Sequence, residues 1–268
     1  MENAMVRVEG LQKSFWDESR GEVHAVDGID FDCRPGEVFG LLGANGAGKT
    51  TTLRMLATIL KPTGGRASLN GHDVLAEPEA VRRSLGFFSA STALYPRLTG
   101  RETLEFFARI NQYPPDRVAE RVESLIDRFG IAEYANARVE KLSSGMKQKI
   151  SIARTIAHDP PILIFDEPTV GLDVMAAIEM QRVVGELRDE GKTVIFSTHI
   201  MSEAEKLCDR IGIIHRGRIL ALGTLDEHRQ ATGQHYLEDI FVHYVAATGA
   251  GGGAAAASSA PGPGESGQ

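Results

Sequence analysis

Cysteine and long apolar runs are both scarce in this sequence, and each shortage excludes some classes of protein. Cys33 and Cys208 are the only two cysteines among 268 residues, and they lie far apart without a CxxC spacing. That pattern fits two unrelated thiols in a reducing cytosol. No apolar run approaches the roughly 18 residues that cross a bilayer, so another chain must supply any membrane-embedded part.

Basic residues are also outnumbered, since 29 lysines and arginines stand against 36 aspartates and glutamates, for a formal net charge of −7. Nucleic-acid binders that work by bulk charge usually carry a basic face, so we expect no nucleic-acid partner. The net charge does not exclude a local basic patch.

The first five residues lack a charged region followed by an apolar stretch, which predicts that no signal peptide is present. The chain is long enough for one large domain with an appended subdomain.

Short apolar runs separated by glycine indicate strands and turns between residues 5 and 89. Residues 29–33 alternate like a half-exposed strand, and residues 37–42 are predicted to form a buried strand. A helix is expected from residue 48 to about residue 60, because Pro62 and two glycines follow it.

Apolar residues three and four apart predict a helical segment from residue 100 to residue 158. Ser143 or Ser144 is placed to cap the last helix of this segment, which begins near Gly145. Strand patterns then return at residues 161–165, 193–197 and 210–214. This alternation predicts an α/β fold, in which a mainly parallel sheet is covered by helices on both faces and a helical insert interrupts the chain.

Residues 43–50 read Gly-Ala-Asn-Gly-Ala-Gly-Lys-Thr and satisfy the pattern G-x-x-x-x-G-K-[ST] between a predicted strand and a predicted helix. The glycines let backbone N–H groups point at phosphate oxygens, and the helix directs its positive end to the same place. Lys49 is suited to the β- and γ-phosphates and Thr50 to Mg²⁺. A chance glycine turn is the alternative to this ATP and Mg²⁺ site. The predicted loop comprises Gly43, Ala44, Asn45, Gly46, Ala47, Gly48, Lys49, Thr50 and Thr51.

A second apolar strand, residues 162–165, ends in the carboxylates of Asp166 and Glu167. Adjacent residues on a strand point to opposite sides, so we expect the two acids to do different work. Asp166 is suited to holding the Mg²⁺ shell, and Glu167 to polarising the water that attacks the γ-phosphate. A solvated strand end is the alternative for an acidic pair of this kind, and the neighbouring phosphate loop favours the catalytic interpretation.

Five motifs stand in one order along the chain, and together they resemble the ATP-binding cassette (ABC) proteins. After the phosphate loop comes Leu-Ser-Ser-Gly-Met at 142–146, similar to the family signature L-S-G-G-Q, and then the acidic strand. Gly-Leu-Asp at 171–173 and His199 complete the order. The resemblance implies a P-loop NTPase (RecA-like) core with a mainly parallel sheet, an N-terminal antiparallel β subdomain and an inserted α-helical subdomain.

The resemblance covers nearly the whole chain and implies how it is divided. A single nucleotide-binding domain is expected over residues 5–246, with the helical subdomain inserted at about residues 90–158. Residues 247–268 are mostly glycine, alanine, serine and proline, so they cannot bury a core and are expected to form a disordered tail.

The signature region has a physical interpretation, because a helix start offers free N–H groups and a positive dipole end to an anion. In the family, two domains face head to tail, and the signature helix of each covers the γ-phosphate bound by the other. The resemblance therefore implies a second nucleotide-binding subunit, with an identical chain as the favoured choice. The resemblance also adds four residues to the ATP site, which are Ser143, Ser144, Gly145 and Asp173. An ordinary serine-capped helix is the alternative interpretation of the signature region.

His199 ends the strand after the acidic pair and matches the switch histidine of the family, which contacts the γ-phosphate and orients the attacking water. With Glu167 and Lys49 it forms the implied catalytic set. A structural histidine and a zinc site shared with Glu203 are the alternatives.

An aromatic ring that stacks on adenine is expected upstream of the phosphate loop in this family. Phe15 aligns best with that position, and Trp16 is the second choice. A buried aromatic packed between strands is the alternative interpretation of Phe15.

The sequence departs from the family pattern at two places. The family usually carries a glutamine near position 90 that reaches Mg²⁺ and the attacking water, whereas Ala90 has no side chain for this work. A hydroxyl of Ser89, Ser91 or Thr92 could replace it. In the signature, Met146 stands where the family has glutamine and cannot donate a side-chain hydrogen bond.

These substitutions and the segments at 95–102 and 236–241 are similar to the ATPases of ABC-2-type bacterial exporters, which include sodium-extrusion and drug-export proteins. The resemblance implies a bacterial ATPase subunit at the cytoplasmic face of the membrane that drives a separate permease outward. A soluble ABC ATPase that acts on a macromolecular assembly is the alternative, but such proteins commonly carry two cassettes or a long coiled-coil insertion. A small-molecule P-loop kinase would lack the signature.

Overall fold

A computed structural model describes residues 4–19, 21–89 and 92–250 of the chain. Within these residues, ten strands and nine helices follow one another, and two one-turn 3-10 helices lie at Pro115–Arg117 and Val139–Lys141. The strands are β1 (Val6–Asp17), β2 (Gly21–Cys33), β3 (Val38–Leu42), β4 (Gly64–Leu69), β5 (His72–Asp73), β6 (Leu85–Ser89), β7 (Ile162–Asp166), β8 (Thr193–Thr198), β9 (Arg210–His215) and β10 (Arg218–Gly223). The helices are α1 (Lys49–Leu56), α2 (Pro78–Ser84), α3 (Gly100–Ile110), α4 (Val118–Arg128), α5 (Ser144–Thr155), α6 (Val174–Asp189), α7 (Met201–Leu207), α8 (Leu225–Thr232) and α9 (Leu237–Ala250).

The strands form two sheets. An antiparallel sheet has the order β2-β1-β4-β5 and holds the N-terminal strands. A six-stranded sheet has the order β10-β9-β3-β8-β7-β6, and all its pairings are parallel except that of β10 with β9. The predicted fold class, a mainly parallel core with an antiparallel N-terminal sheet and inserted helices, is therefore confirmed.

The central strands β3, β7 and β8 are buried at every position, as parallel strands covered on both faces must be. Alternate residues of these strands enter two different apolar cores. Phe165 and Phe196 pack with the helical segment through Ile150, whereas Phe39 packs on the other face with Leu53 of α1. Each such side chain stabilises the fold by about 1.5–3 kcal/mol when fully buried. The two cores together therefore fix the positions of β3, β7 and β8.

The carboxyl ends of β3, β7 and β8 meet at one edge of the sheet, because the three strands are parallel neighbours. The phosphate loop follows β3, Glu167 follows β7 and His199 follows β8. The topology thus brings the phosphate loop together with two segments that lie more than 100 residues further along the sequence.

Three boundaries differ from the sequence expectations. Helix α1 ends at Leu56 instead of residue 60, because the chain turns at Thr58, whose φ is 59°. Helix α2 lies in the part of the stretch after residue 60, where strands and turns were expected, and Pro78 stands in its first turn, where proline is tolerated. Helix α9 continues to Ala250, past residue 246, and residues 251–268 lie outside the described residues. The division into one domain and a tail stays a prediction.

Candidate functional site

The loop between β3 and α1 curls around the Lys49 ammonium. Lys49 Nζ donates hydrogen bonds to Gly43 O at 2.7 Å and to Ala44 O at 3.2 Å. Helix α1 starts at Lys49, and its cap Gly48 has no side chain that could satisfy the first free N–H groups. These N–H groups and the helix dipole are therefore available to an anion.

Two glycines of this loop are required by their surroundings. A Cβ atom at Gly43 would stand 2.4 Å from Ile214 O, and one at Gly48 would stand 2.7 Å from Ala25 O. Gly48 also has a φ of 110°, which side chains rarely allow. Beside the loop lies a cavity of about 360 Å³, and its wall includes Asn45, Gly46, Gly48, Lys49, Thr50, Thr51 and Glu167. Its size and its backbone donors fit the phosphates of a nucleotide.

Asp166 and Thr50, the residues predicted to hold Mg²⁺, are in direct contact. Thr50 Oγ1 donates a hydrogen bond to Asp166 Oδ1 at 3.1 Å, and Ser197 Oγ donates to the same oxygen at 2.8 Å. Burial raises the pKa of Asp166 from its ordinary value, and the two hydroxyl donors oppose that rise. Mg²⁺ prefers oxygen ligands and usually combines one or two protein groups with substrate phosphates and water. The hydroxyl of Thr50 and the carboxylate of Asp166 therefore fit that ion.

Glu167 turns away from the strand that precedes it. Strand β7 ends at Asp166, and Glu167 has a φ of 48°, in the left-handed region, while its N–H donates to Ser197 Oγ at 3.0 Å. The two acids do make different contacts, as expected. The cause is this backbone turn, whereas the sequence argument invoked strand alternation. Such a conformation in a residue other than glycine is costly and is concentrated at functional sites.

The Glu167 carboxylate lies between two nitrogen groups. Its Oε1 is 3.0 Å from Lys49 Nζ and 3.4 Å from His199 Nδ1. Burial alone would raise the pKa of Glu167, but the hydrogen bonds and charges of Lys49 and His199 outweigh burial and lower it. Glu167 is therefore an ionised acceptor next to the phosphate loop, as an acid that polarises water must be.

His199 is fixed by the residues on either side of it. Thr198 Oγ1 donates to Glu203 Oε2 at 2.7 Å and accepts a hydrogen bond from Ile200 N at 3.0 Å. Glu203 is buried and contacts Thr198. In the described part of the chain, no group of three or more histidine, cysteine or acidic side chains could hold a metal ion, which leaves the zinc alternative without support.

The signature residues do not join this cavity within one chain. Ser143 caps α5 by accepting a hydrogen bond from Met146 N at 3.3 Å, which confirms the predicted cap. Ser143, Ser144 and Gly145 are all exposed to solvent. Asp173 is likewise exposed and caps α6, with its Oδ1 accepting from Ala176 N at 2.9 Å. Within its own chain, this group of residues therefore contributes nothing to the ATP site. The residues either contribute to the ATP site of another subunit or act as helix caps alone.

Phe15 lies on β1 and is 44% exposed, so the alternative of a buried aromatic is wrong. Its cross-strand partner is Val23, two residues along β2 from Ala25, which lines the cavity at the loop. Lys13 Nζ lies 5.1 Å from the centroid of the Phe15 ring. Trp16 is 80% exposed. Both rings are thus open to a ligand at this end of the antiparallel sheet.

Two residues of the site were missed by the sequence analysis. Ser197 bridges Asp166 and the Glu167 backbone, and Gln148 Nε2 donates to Pro168 O at 3.0 Å, which ties α5 to the segment after Glu167. A serine next to the last residue of a mainly apolar strand is the signal that could have indicated Ser197. Position 90, where the family glutamine is replaced by alanine, lies outside the described residues.

Comparison with known proteins identifies the family. Residues 26–170 match the family described as ABC transporter. The ABC transporter ATP-binding protein NatA of Bacillus subtilis is 38% identical over 239 residues, which cover 89% of this chain and 97% of that protein. The daunorubicin resistance ATP-binding protein DrrA3 of Streptomyces coeruleorubidus is 38% identical, over 87% of this chain and 72% of its own length.

A solved structure supports the same assignment. The ATP-binding cassette MJ0796, described as a dimer in a post-hydrolysis state with ADP and Pi, has a TM-score of 0.74 and is 25% identical. The match covers 82% of this chain and 98% of the cassette.

No helix in the described part of the present chain is long and apolar enough to cross a membrane. The comparisons favour a transporter ATPase over a soluble ATPase of macromolecular assemblies, and the chain belongs to the ABC transporter family as one of its ATP-binding, ATP-hydrolysing subunits.

Proposed function

We propose that this chain hydrolyses ATP with Mg²⁺ at the cytoplasmic face of a bacterial membrane and drives a separate permease that exports its cargo. The observation that carries the proposal is the contact of Lys49, Glu167 and His199 at the edge where the phosphate loop, β7 and β8 end. A phosphate-binding cation, an ionised carboxylate and an imidazole are the groups that hydrolysis of a phosphoanhydride requires.

The proposed chemistry depends mainly on position and charge. Lys49 exchanges its bonds to Gly43 O and Glu167 for oxygens of the β- and γ-phosphates. Glu167, released from Lys49, accepts a proton from the water that attacks the γ-phosphate, and His199 orients that water. Thr50 and Asp166 would hold Mg²⁺, which supplies positive charge that neutralises the phosphates when it is bound.

A second copy of the chain is proposed to complete each ATP site. The exposed segment Ser143–Gly145 has free N–H groups at the start of α5 and makes no contact with the loop cavity of its own chain. The MJ0796 cassette, which shares the fold, is described as a dimer. In the proposed dimer, this segment and Asp173 of one copy close on the γ-phosphate held by the other, and Phe15 stacks on the adenine.

The proposed transport is outward and of the ABC-2 type, with drug or sodium efflux as the cargo classes. Support comes from a relative that is named for daunorubicin resistance and from the exporter-like segments of the sequence. The proposed contacts of the ATP site are to phosphates and adenine, so this site does not select the cargo.

Isolation of the native complex tests this function. The tagged full chain is expressed in its own organism and purified from detergent-solubilised membranes, and the complex is reconstituted into vesicles. We expect a multi-span membrane protein to copurify and ATP hydrolysis to follow its presence. If only soluble partners copurify, or if the membrane protein leaves the ATPase rate unchanged, the proposed coupling to a permease is refuted.

A further inference from the structure

Ser197 is a buried side chain that touches both acids of the ATP site. Strands β7 and β8 are parallel neighbours, and Asp166 is the cross-strand partner of Ser197. The side chains of such partners leave the sheet on the same face, so the hydroxyl of Ser197 meets the Asp166 carboxylate directly. Ser197 is 0% exposed, and bulk water therefore cannot replace the hydrogen bonds that it makes.

The carboxylate of Asp166 uses its two oxygens unequally. Its Oδ1 accepts one hydrogen bond from Thr50 Oγ1 at 3.1 Å and a shorter one from Ser197 Oγ at 2.8 Å. In the described part of the chain, no hydrogen bond is made to Oδ2. Two donors on one oxygen fix the rotation of the carboxylate and leave the other oxygen to the hydrated Mg²⁺ that this acid would hold.

The same hydroxyl supports the turn at Glu167. The backbone N–H of Glu167 donates to Ser197 Oγ at 3.0 Å, and the φ of Glu167 is 48°. A left-handed backbone in a residue other than glycine persists only where its surroundings over-determine it. The bond to Ser197 is one of the contacts that do so, and the turn in turn places the Glu167 carboxylate next to Lys49 and His199.

The directions of the two hydrogen bonds follow from the groups involved. A backbone N–H can only donate, so the oxygen of Ser197 accepts from Glu167 and its single proton is directed to Asp166. A serine hydroxyl makes both bonds at once, whereas alanine makes neither and a cysteine thiol makes both weakly. One side chain thus determines the orientation of a metal-binding acid and the backbone of a water-activating acid.

We propose that Ser197 is a positioning residue for ATP hydrolysis, whose one hydroxyl keeps Asp166 oriented for Mg²⁺ and keeps Glu167 directed at the attacking water. The inference rests on the proposed function, since it takes the roles of Asp166 and Glu167 from there. It predicts that the metal site and the water-activating acid are coupled, because loss of this hydroxyl disturbs both.

Two substitutions on β8 separate this role from a contribution to folding. Ser197→Ala removes the hydroxyl, and Thr193→Ala is the matched control. Thr193 is also buried, and its Oγ1 also makes two bonds, donating to Arg34 O at 3.2 Å and accepting from Gly36 N at 3.1 Å. It lies at the opposite end of β8. Because each variant leaves a backbone N–H without its acceptor, we expect similar losses of stability.

Steady-state ATP hydrolysis by the purified full chain is the first readout. For Ser197→Ala at saturating Mg²⁺ we expect kcat to fall about 10–100-fold, as is typical when a hydrogen-bond partner of a metal ligand is lost. The KM for ATP should stay near the wild-type value, because the phosphate loop is unchanged. Ser197→Cys should be intermediate, and Thr193→Ala should hydrolyse ATP like the wild type.

Metal binding is the second readout and does not depend on turnover. Mn²⁺ is titrated into the full chain with saturating ADP, and free Mn²⁺ is followed by electron paramagnetic resonance. We expect the apparent Kd for Mn²⁺ to rise about tenfold or more in Ser197→Ala and to stay at the wild-type value in Thr193→Ala.

A double variant tests whether Ser197 acts through Glu167. In single-turnover assays at saturating Mg²⁺, Ser197→Ala combined with Glu167→Gln should be no more than a few-fold slower than Glu167→Gln alone. The reason is that residues acting as a unit are not additive, whereas the effects of independent sites multiply in the rate.

Each result decides the inference. A wild-type kcat or a wild-type Mn²⁺ affinity in Ser197→Ala, equal losses in Thr193→Ala, or a double variant whose losses multiply would overturn the positioning role and leave the proposed function intact. If Glu167→Gln alone hydrolyses ATP like the wild type, or if the wild-type chain binds no Mn²⁺ with ADP, the proposed function itself fails, and the inference falls with it.

Discussion

The imidazole of His158 makes the stability of this protein sensitive to acid. Its Nε2 bonds to Leu85 O, and its surroundings hold the charged groups of Arg121, Asp159 and Lys192. Burial is the largest influence, and it lowers the pKa of His158 from 6.5 to about 4. The folded protein therefore keeps this side chain neutral over a pH range in which the unfolded chain is already protonated.

The size and sign of the effect follow from proton linkage. Between pH 6.5 and about 4 the unfolded state binds one more proton than the folded state, so the free energy of unfolding falls as the pH falls. The pKa difference corresponds to a loss of about 3 kcal/mol once the pH reaches 4. Above pH 6.5 both states hold a neutral imidazole, and His158 adds no pH dependence.

Urea unfolding at several pH values between 7.5 and 4.5 measures this loss. His158→Gln keeps a side-chain donor for Leu85 O but cannot take up a proton, so its stability should fall by about 2–3 kcal/mol less than that of the wild type over this range. His235→Gln, at an exposed position, is the control and should follow the wild type. Equal slopes for the wild type and His158→Gln would refute the reasoning.

Three further substitutions test the site and its frame. Gly43→Ala places a Cβ against Ile214 O, so the loop must shift, and equilibrium nucleotide binding should weaken about tenfold or more. Ser197→Ala removes the donor to Asp166 and should lower the free energy of unfolding, measured in urea, by about 1–3 kcal/mol. Thr99→Ala breaks the capping box of α3 and should cost about 1 kcal/mol in thermal unfolding without a change in nucleotide affinity; a loss of affinity would contradict the capping role.

The sequence was sufficient for the parts of the site that local patterns encode. The phosphate loop, the acidic strand and the Ser143 cap each depend on a few consecutive residues, and the structure places them on the predicted elements. The parallel sheet also followed from the alternation of strands and helices. These features are determined by periodicity and turn chemistry, which a single sequence carries.

Contacts between distant segments could not be predicted in the same way. The bridge of Ser197 to Asp166, the left-handed turn at Glu167 and the burial of Arg154 depend on how β7, β8 and α5 pack, over sequence separations of many residues. Nothing in the residue type of Arg154 indicates that it is buried, because arginine usually lies on the surface. Such features require the three-dimensional structure.

The central claim is that Glu167 activates the attacking water, and ATP turnover by Glu167→Gln tests it most directly. The amide preserves the shape of the side chain and an oxygen for Lys49 but cannot accept a proton, so the rate of hydrolysis should fall about 10²–10⁴-fold. ATP binding should stay near the wild-type level, and a closed, ATP-bound dimer should accumulate on size-exclusion chromatography. Hydrolysis within a few-fold of the wild-type rate would contradict the account.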